Sequence, residues 1–153
     1  MSGVVNVHGT AIVVGQAGLL FVGPSGIGKS AIALQCLATA RRAGMFAALV
    51  ADDQILVAQA NGQIIAKRPD STAGLLEIRG SGIVTIPSVP QAMLDLVVLL
   101  VDPTTAERLP PSNETYAIEG VGLLPQIRLL KDHREPMAAI AALCPQVGIP
   151  TTL

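Results

Sequence analysis

Three groups of residues in this chain have types and spacings suited to chemistry. The first is Gly23-Pro24-Ser25-Gly26-Ile27-Gly28-Lys29-Ser30, which fills every position of a GxxxxGKS loop. Glycines at these positions let backbone N–H groups turn inward onto phosphate oxygens. A helix beginning at Lys29 adds unpaired donors and the positive end of its dipole. Lys29 then neutralises the β and γ phosphates, and the Ser30 hydroxyl sits on Mg²⁺. The ligand class is a nucleoside triphosphate with magnesium. The loop does not choose among kinases, ATPases and nucleotide switches.

The second group is acidic. Phosphoryl transfer needs a carboxylate near the metal and a group that orients or deprotonates the acceptor. Asp52 and Asp53 follow an apolar run at 47–51, so they are expected at a strand end, where adjacent carboxylates suit a cation and repel each other. Asp102 follows the apolar run 96–101, the generic strand-then-Asp pattern of a Walker B carboxylate. Asp102-Pro103 also reads as the start of a turn. Glu77 and Arg79 share one side of an extended segment, where they face a phosphate and its metal or form a surface ion pair.

The third group is the histidines. His8 precedes a strand upstream of the loop, and on local grounds it is more often a bystander than a functional group. His133 lies in the charged run 131–135, whose default is a solvated loop.

The elements that must position these groups are legible in outline. Strands are expected at 4–7, 10–14 and 18–22, with a hairpin turn at 15–18. A helix is expected over 29–43, where Ile32, Leu34, Cys36, Leu37 and Ala40 are apolar, Arg41 and Arg42 suit the negative end, and Gly44 stops it. Strand 47–51 follows, then a hairpin of 55–59 and 63–67 about Asn61-Gly62. Short extended segments at 75–79 and 83–86 flank Gly80-Ser81-Gly82, and 96–101 reads as a central strand. The Pro-rich stretch 103–114 reads as a loop, 127–130 as a last strand and 136–144 as a closing helix with Pro at its start. This is an α/β or α+β chain, a single P-loop domain over 1–153 with a mixed sheet, a P-loop helix and a C-terminal helix.

Composition bounds the rest. Half the residues are apolar but only Phe21, Phe46 and Tyr116 are aromatic, so aliphatic side chains fill the core. A formal net charge of −1 and the lack of a basic stripe argue against a nucleic-acid partner. The longest aliphatic run, 96–101, is far short of the roughly 20 residues of a membrane span. Cys36 and Cys144 sit in no ligand pattern and read as buried thiols of a reducing compartment, so a cytoplasmic location is expected.

Taken together, the pieces resemble the catalytic domain of HPr kinase/phosphorylase. That family carries a His-Gly ahead of its P-loop, here His8-Gly9, then GxSGxGKS, here the loop at 23–30. A Val-Ala-Asp-Asp strand end follows, here Val50-Ala51-Asp52-Asp53, and then Glu-Ile-Arg-Gly-x-Gly-Ile, here Glu77-Ile78-Arg79-Gly80-Ser81-Gly82-Ile83. The resemblance covers about residues 4–101. It is to the short form without the N-terminal domain of longer members. Ala31 stands where an acidic residue commonly follows the P-loop serine, and Ser81 where Leu is usual. The family's C-terminal Gly-Arg loop has no clear match in this sequence; the run 131–135, with Arg134 as a substitute, is the local candidate for it.

The resemblance implies that the loop at 23–30 binds ATP and that Ser30 and Glu77 hold Mg²⁺. It further implies that Asp53 takes the proton from an acceptor serine, that His8 and Lys29 assist at the phosphates, and that Asp52 and Arg79 belong to the same machinery. The implied acceptor is an HPr-like phosphocarrier, in regulation of carbon metabolism or phosphotransferase signalling, and the implied assembly is a homo-oligomer, a hexamer. Composition alone leaves two other functions open: a small-molecule kinase and a nucleotide-sensing module without transfer.

Overall fold

The structure is a computed structural model, and it describes residues 3–150. Ten strands and two α-helices run in the order β1 Val5–Val14, β2 Ala17–Val22, α1 Lys29–Arg42, β3 Ala47–Ala60, β4 Gln63–Lys67, β5 Leu75–Ile78, β6 Gly82–Thr85, β7 Gln91–Met93, β8 Leu96–Val101, β9 Thr115–Ile118, β10 Gly122–Leu130 and α2 Pro136–Leu143. Eight strands form one mixed sheet in the order β7-β4-β3-β1-β2-β8-β10-β9, and β5 pairs with β6 in a separate hairpin. The pairs β2–β8 and β8–β10 are parallel and the others antiparallel.

Strand β2 shows how the sheet is held. All six of its residues are buried. Leu19 and Phe21 enter the core shared with α1 and α2, while Leu20 and Val22 enter a second core on the opposite face. That second core includes Ile64 of β4 with Ile118, Val121 and Leu124 around β9 and β10, so the sheet curls until its two ends meet. Each large aliphatic side chain buried this way contributes roughly 1.5–3 kcal/mol. Helix α1 buries Ile32, Cys36, Leu37 and Ala40 of the expected apolar set, while Leu34 is half-buried. It ends as the sequence predicts: Gly44 adopts φ 78°, Gly44 N donates to Arg41 O and Met45 N donates to Ala40 O, the Schellman pair of bonds.

The outline of strands and helices matches the sequence reading, with differences that bear on the site. The segments 4–7 and 10–14 are one strand, because Gly9 stays in the ladder opposite Asp53. A Cβ at Gly9 would lie 2.7 Å from the Phe21 carbonyl oxygen, so only glycine lets the strand pass there. Likewise β3 does not end at Asp52-Asp53 but runs on to Ala60. Strands β7 and β9 were not expected, and β10 begins at Gly122 rather than 127.

Candidate active site

The P-loop links the end of β2 to α1. Gly23, Gly26 and Gly28 take φ of 152°, 82° and 112°, which lets this stretch turn sharply enough to present its N–H groups inward. Gly28 caps α1, whose first intrahelical bond is Ile32 N to Gly28 O at 3.0 Å, so the N–H groups of the first turn remain available to a ligand. Lys29 is buried, and its Nζ donates to the carbonyls of Gly23 and Pro24 at 3.0 and 3.1 Å. Burial lowers the Lys29 pKa, opposed by the charges of Asp52 and then Asp53.

Asp52 reaches the loop through sheet register. Strand β1 pairs Thr10 with Phe21 on one side and with Asp52 on the other, which sets Asp52 level with the end of β2. A bulge in β3 sets its direction: Ala11 pairs with Ala51 but Ile12 with Leu49, leaving Val50 as the extra residue. Leu49 packs toward α1, Val50 and Ala51 both pack into the opposite core, and Asp52 faces α1 again. Its Oδ1 accepts from Ser30 Oγ at 2.8 Å and from Thr10 Oγ1 at 2.8 Å, and its Oδ2 accepts from Glu77 N at 3.2 Å. The residue is only 9% exposed, so this is a buried carboxylate held by three donors.

Asp53 lies differently. It adopts φ 75°, a left-handed conformation uncommon for a residue other than glycine. Its side chain is largely exposed, and its Oδ1 lies 3.1 Å from Nδ1 of His8. Strict alternation would send Asp52 and Asp53 to opposite faces. Instead both line one cleft of about 700 Å³, together with His8, Lys29, Ser30 and Glu77. Arg79 lines it too, packing over the P-loop so closely that a Cβ on Gly26 would sit 3.1 Å from its guanidinium. Beyond these groups the cleft continues between the outer face of α1, with Ala31, Leu34 and Ala38, and the β5–β6 hairpin, with Leu75 and Ile83.

The structure thus brings together His8, the P-loop, Asp52, Asp53, Glu77 and Arg79. Asp102 is elsewhere. Its Oδ1 accepts from Thr104 N at 2.9 Å and Thr104 Oγ1 at 2.7 Å, and its Oδ2 pairs with Lys131 at 3.1 Å. These partners, Thr104 first, pull its pKa down to about 2. Asp102 is a turn residue. His133 Nδ1 accepts from Glu135 N, and the Arg134 carbonyl accepts from Gln35 of α1; neither His133 nor Arg134 lines the cleft. Cys36 and Cys144 are free and buried, and burial pushes the Cys36 thiol up to about 12.

The residue that sequence reading missed is Thr10. It stands in an apolar strand where threonine is unremarked, and only the register shows that it opposes Asp52.

Residues 1–135 match the family described as HPr Serine kinase C-terminal domain. The chain belongs to that family. It is 40% identical over 82 residues to the HPr kinase/phosphorylase of Clostridium tetani, covering 54% of this chain and 25% of that protein. It is 36% identical over 105 residues to the HPr kinase/phosphorylase of Mycoplasmopsis pulmonis, covering 64% and 32%. The chain therefore spans a quarter to a third of the length of these curated relatives. A solved structure, the Hpr(Ser) kinase/phosphatase from Coxiella burnetii, superposes with a TM-score of 0.74 at 29% identity, covering 92% of this chain and 94% of that one. Membership in this kinase family and the mixed α/β fold stand on these matches. No helix among the described residues is long and apolar enough to cross a membrane.

The donor set fits magnesium. Among the described residues no three His, Cys, Asp or Glu side chains cluster as a protein-only metal cage. Mg²⁺ in a P-loop does not need one, since nucleotide phosphates supply part of its shell and the protein adds a hydroxyl or carboxylate. Ser30 Oγ, with its proton directed at Asp52, offers such an oxygen, and Glu77 lies on the same cleft.

Proposed function

We propose that this chain is one P-loop kinase domain that transfers the γ-phosphoryl group of ATP, with Mg²⁺, to a serine hydroxyl of an HPr-like phosphocarrier protein. The observation that carries this reading is the placement of Asp53 and His8 across one cleft from Lys29 and Ser30. The relatives' names supply the acceptor class.

Ser30 and Glu77 would hold Mg²⁺, which would supply charge neutralisation at the phosphates, and Asp52 orients the Ser30 hydroxyl by accepting its hydrogen bond. Lys29 and the N–H groups of the loop bind the β and γ phosphates, and Arg79 adds charge beside Gly26. Asp53 accepts the proton of the acceptor hydroxyl as the new O–P bond forms and the bond to the ADP oxygen breaks. His8 holds the Asp53 carboxylate by the contact at Nδ1. An exposed aspartate beside an open cleft suits an acceptor presented on the surface of another protein. In the reverse direction the same carboxylate protonates the departing serine oxygen. The reading extends to a cytoplasmic homo-oligomer, a hexamer as in the resemblance, serving regulation of carbon metabolism.

The test is direct. The purified chain is incubated with γ-labelled ATP and Mg²⁺, with a panel of HPr-type carriers in one arm and a metabolite extract in the other. Phosphoserine on a carrier supports the reading. Label only on a small molecule replaces it with a metabolite kinase, and tight nucleotide binding without transfer replaces it with a sensing module.

A further inference from the structure

Thr10 is 1% exposed, yet it carries a hydroxyl on a face of β1 whose neighbours Ile12 and Val14 belong to the core under α1. A buried hydroxyl is costly unless it is hydrogen-bonded. This one donates to Asp52 Oδ1 at 2.8 Å, the same oxygen that accepts from Ser30 Oγ at 2.8 Å. Thr10 and Asp52 are directly opposed across the β1–β3 ladder, so two rigid strands fix their separation. The β-branched side chain of threonine is stiff about χ1, which fixes the hydroxyl further. On the far side, Glu77 N holds Oδ2 at 3.2 Å.

We infer that Thr10 is a positioning residue for the magnesium end of the site: its hydroxyl pins Asp52 Oδ1 where it must be to accept the Ser30 O–H hydrogen bond and leave the Ser30 lone pairs free for the cation. The inference rests on the reading of Ser30 as a magnesium ligand. Ser30 can offer a lone pair to a cation only when its O–H points away from it, and Asp52 Oδ1 is the acceptor that draws the O–H away. Without Thr10, Asp52 keeps Glu77 N and the rotatable Ser30 hydroxyl, and the carboxylate and that hydroxyl can turn together. With Thr10 on Oδ1 they cannot, and the Ser30 acceptor stays in place. Partners one step removed from a metal ligand typically change metal affinity about 10- to 100-fold when lost. Thr10 is one of three donors to Asp52, so the low end applies.

The experiment compares nucleotide affinity with and without magnesium, by calorimetry on the full chain, for wild type, Thr10→Val and Thr10→Ser. Valine keeps the branched shape and suits a strand. The ratio of ATP affinity in excess Mg²⁺ to that in chelator is expected to fall about 10-fold in Thr10→Val and to return toward wild type in Thr10→Ser. A threonine that merely satisfies its own hydroxyl predicts a changed melting point with an unchanged ratio, and that result overturns the inference. So does a Thr10→Ser ratio as low as that of Thr10→Val, which would assign the effect to shape. If Thr10→Val does not fold, Thr10→Ala carries the same comparison. Wild type lacking any magnesium-dependent nucleotide binding removes the kinase reading and this inference with it. Wild type that binds normally beside an unchanged Thr10→Val ratio removes this inference alone.

Discussion

Replacing Asp52 by Asn keeps the side chain's shape and removes one accepting edge of the carboxylate. Asp52 Oδ1 serves two hydroxyls and Oδ2 serves one backbone N–H. With the amide oxygen toward Ser30 and Thr10, the new NH₂ faces the N–H of Glu77, and that donor loses its partner. With the amide flipped, both hydroxyls must turn to accept, and Ser30 then points its lone pairs at Asn rather than at the cleft. Either way one charge-assisted bond goes and a shielded polar group is left unmatched, together about 2 kcal/mol. Less repulsion with Asp53 offsets little of this, because the Asp53 side chain is largely solvated. For a chain of this length the loss corresponds to a melting point roughly 4–8 °C lower. Affinity for Mg·ATP is expected to fall at least ~10-fold. Thermal unfolding and calorimetric titration of the variant check both numbers. An Asp52→Asn protein with the wild-type melting point and unchanged Mg·ATP affinity would refute the claim that Asp52 holds Ser30.

Other outcomes follow from the same geometry. Lys29→Ala and Ser30→Ala should each weaken Mg·ATP binding in equilibrium dialysis while leaving the chain folded, since neither belongs to the large aliphatic core. Glu77→Gln should reduce transfer heavily and Asp102→Asn mildly, because Asp102 serves its own turn and Lys131; the opposite order in a phosphorylation assay would return Asp102 to the Walker B role. Burial lowers the Lys29 pKa, so nucleotide affinity should decline as pH rises through a value below 10.5. Asp52 is the larger of the two charges opposing that shift, so in Asp52→Asn the decline should move to still lower pH, and a titration of affinity from about pH 8 upward reads the direction.

How much of this the sequence carries depends on how local each feature is. The P-loop motif is contiguous, so residues 23–30 could be read from the sequence as one unit, and in the structure that unit joins β2 to α1. Helix α1 and its stop at Gly44 follow from apolar spacing and a single left-handed residue. The relation of Asp52 to Asp53 was not legible. A strand end with two alternating carboxylates was the natural reading. The bulge at Val50, visible only in the register with β1, and the positive φ of Asp53 together turn both into one cleft. Thr10 was invisible for the same reason, since a threonine in a strand is ordinary until its cross-strand partner is known. Strand β9 and the start of β10 were missed because Pro125 interrupts the pattern; it lies in the stretch that pairs with β9, where a proline usually argues against a strand.

The sharpest division of labour is between the neighbouring aspartates: Asp52 buried and bonded to Ser30, Asp53 exposed beside His8. The measurement that tests the account most directly is single-turnover phosphoryl transfer to an HPr-type carrier, with ATP saturating, in wild type and Asp53→Asn. The account predicts phosphoserine formation by wild type. It predicts that Asp53→Asn binds Mg·ATP normally but transfers at least ~10²-fold more slowly, the low end for loss of a general base. Near-normal transfer by Asp53→Asn would contradict it and leave the acceptor proton to His8 or to water.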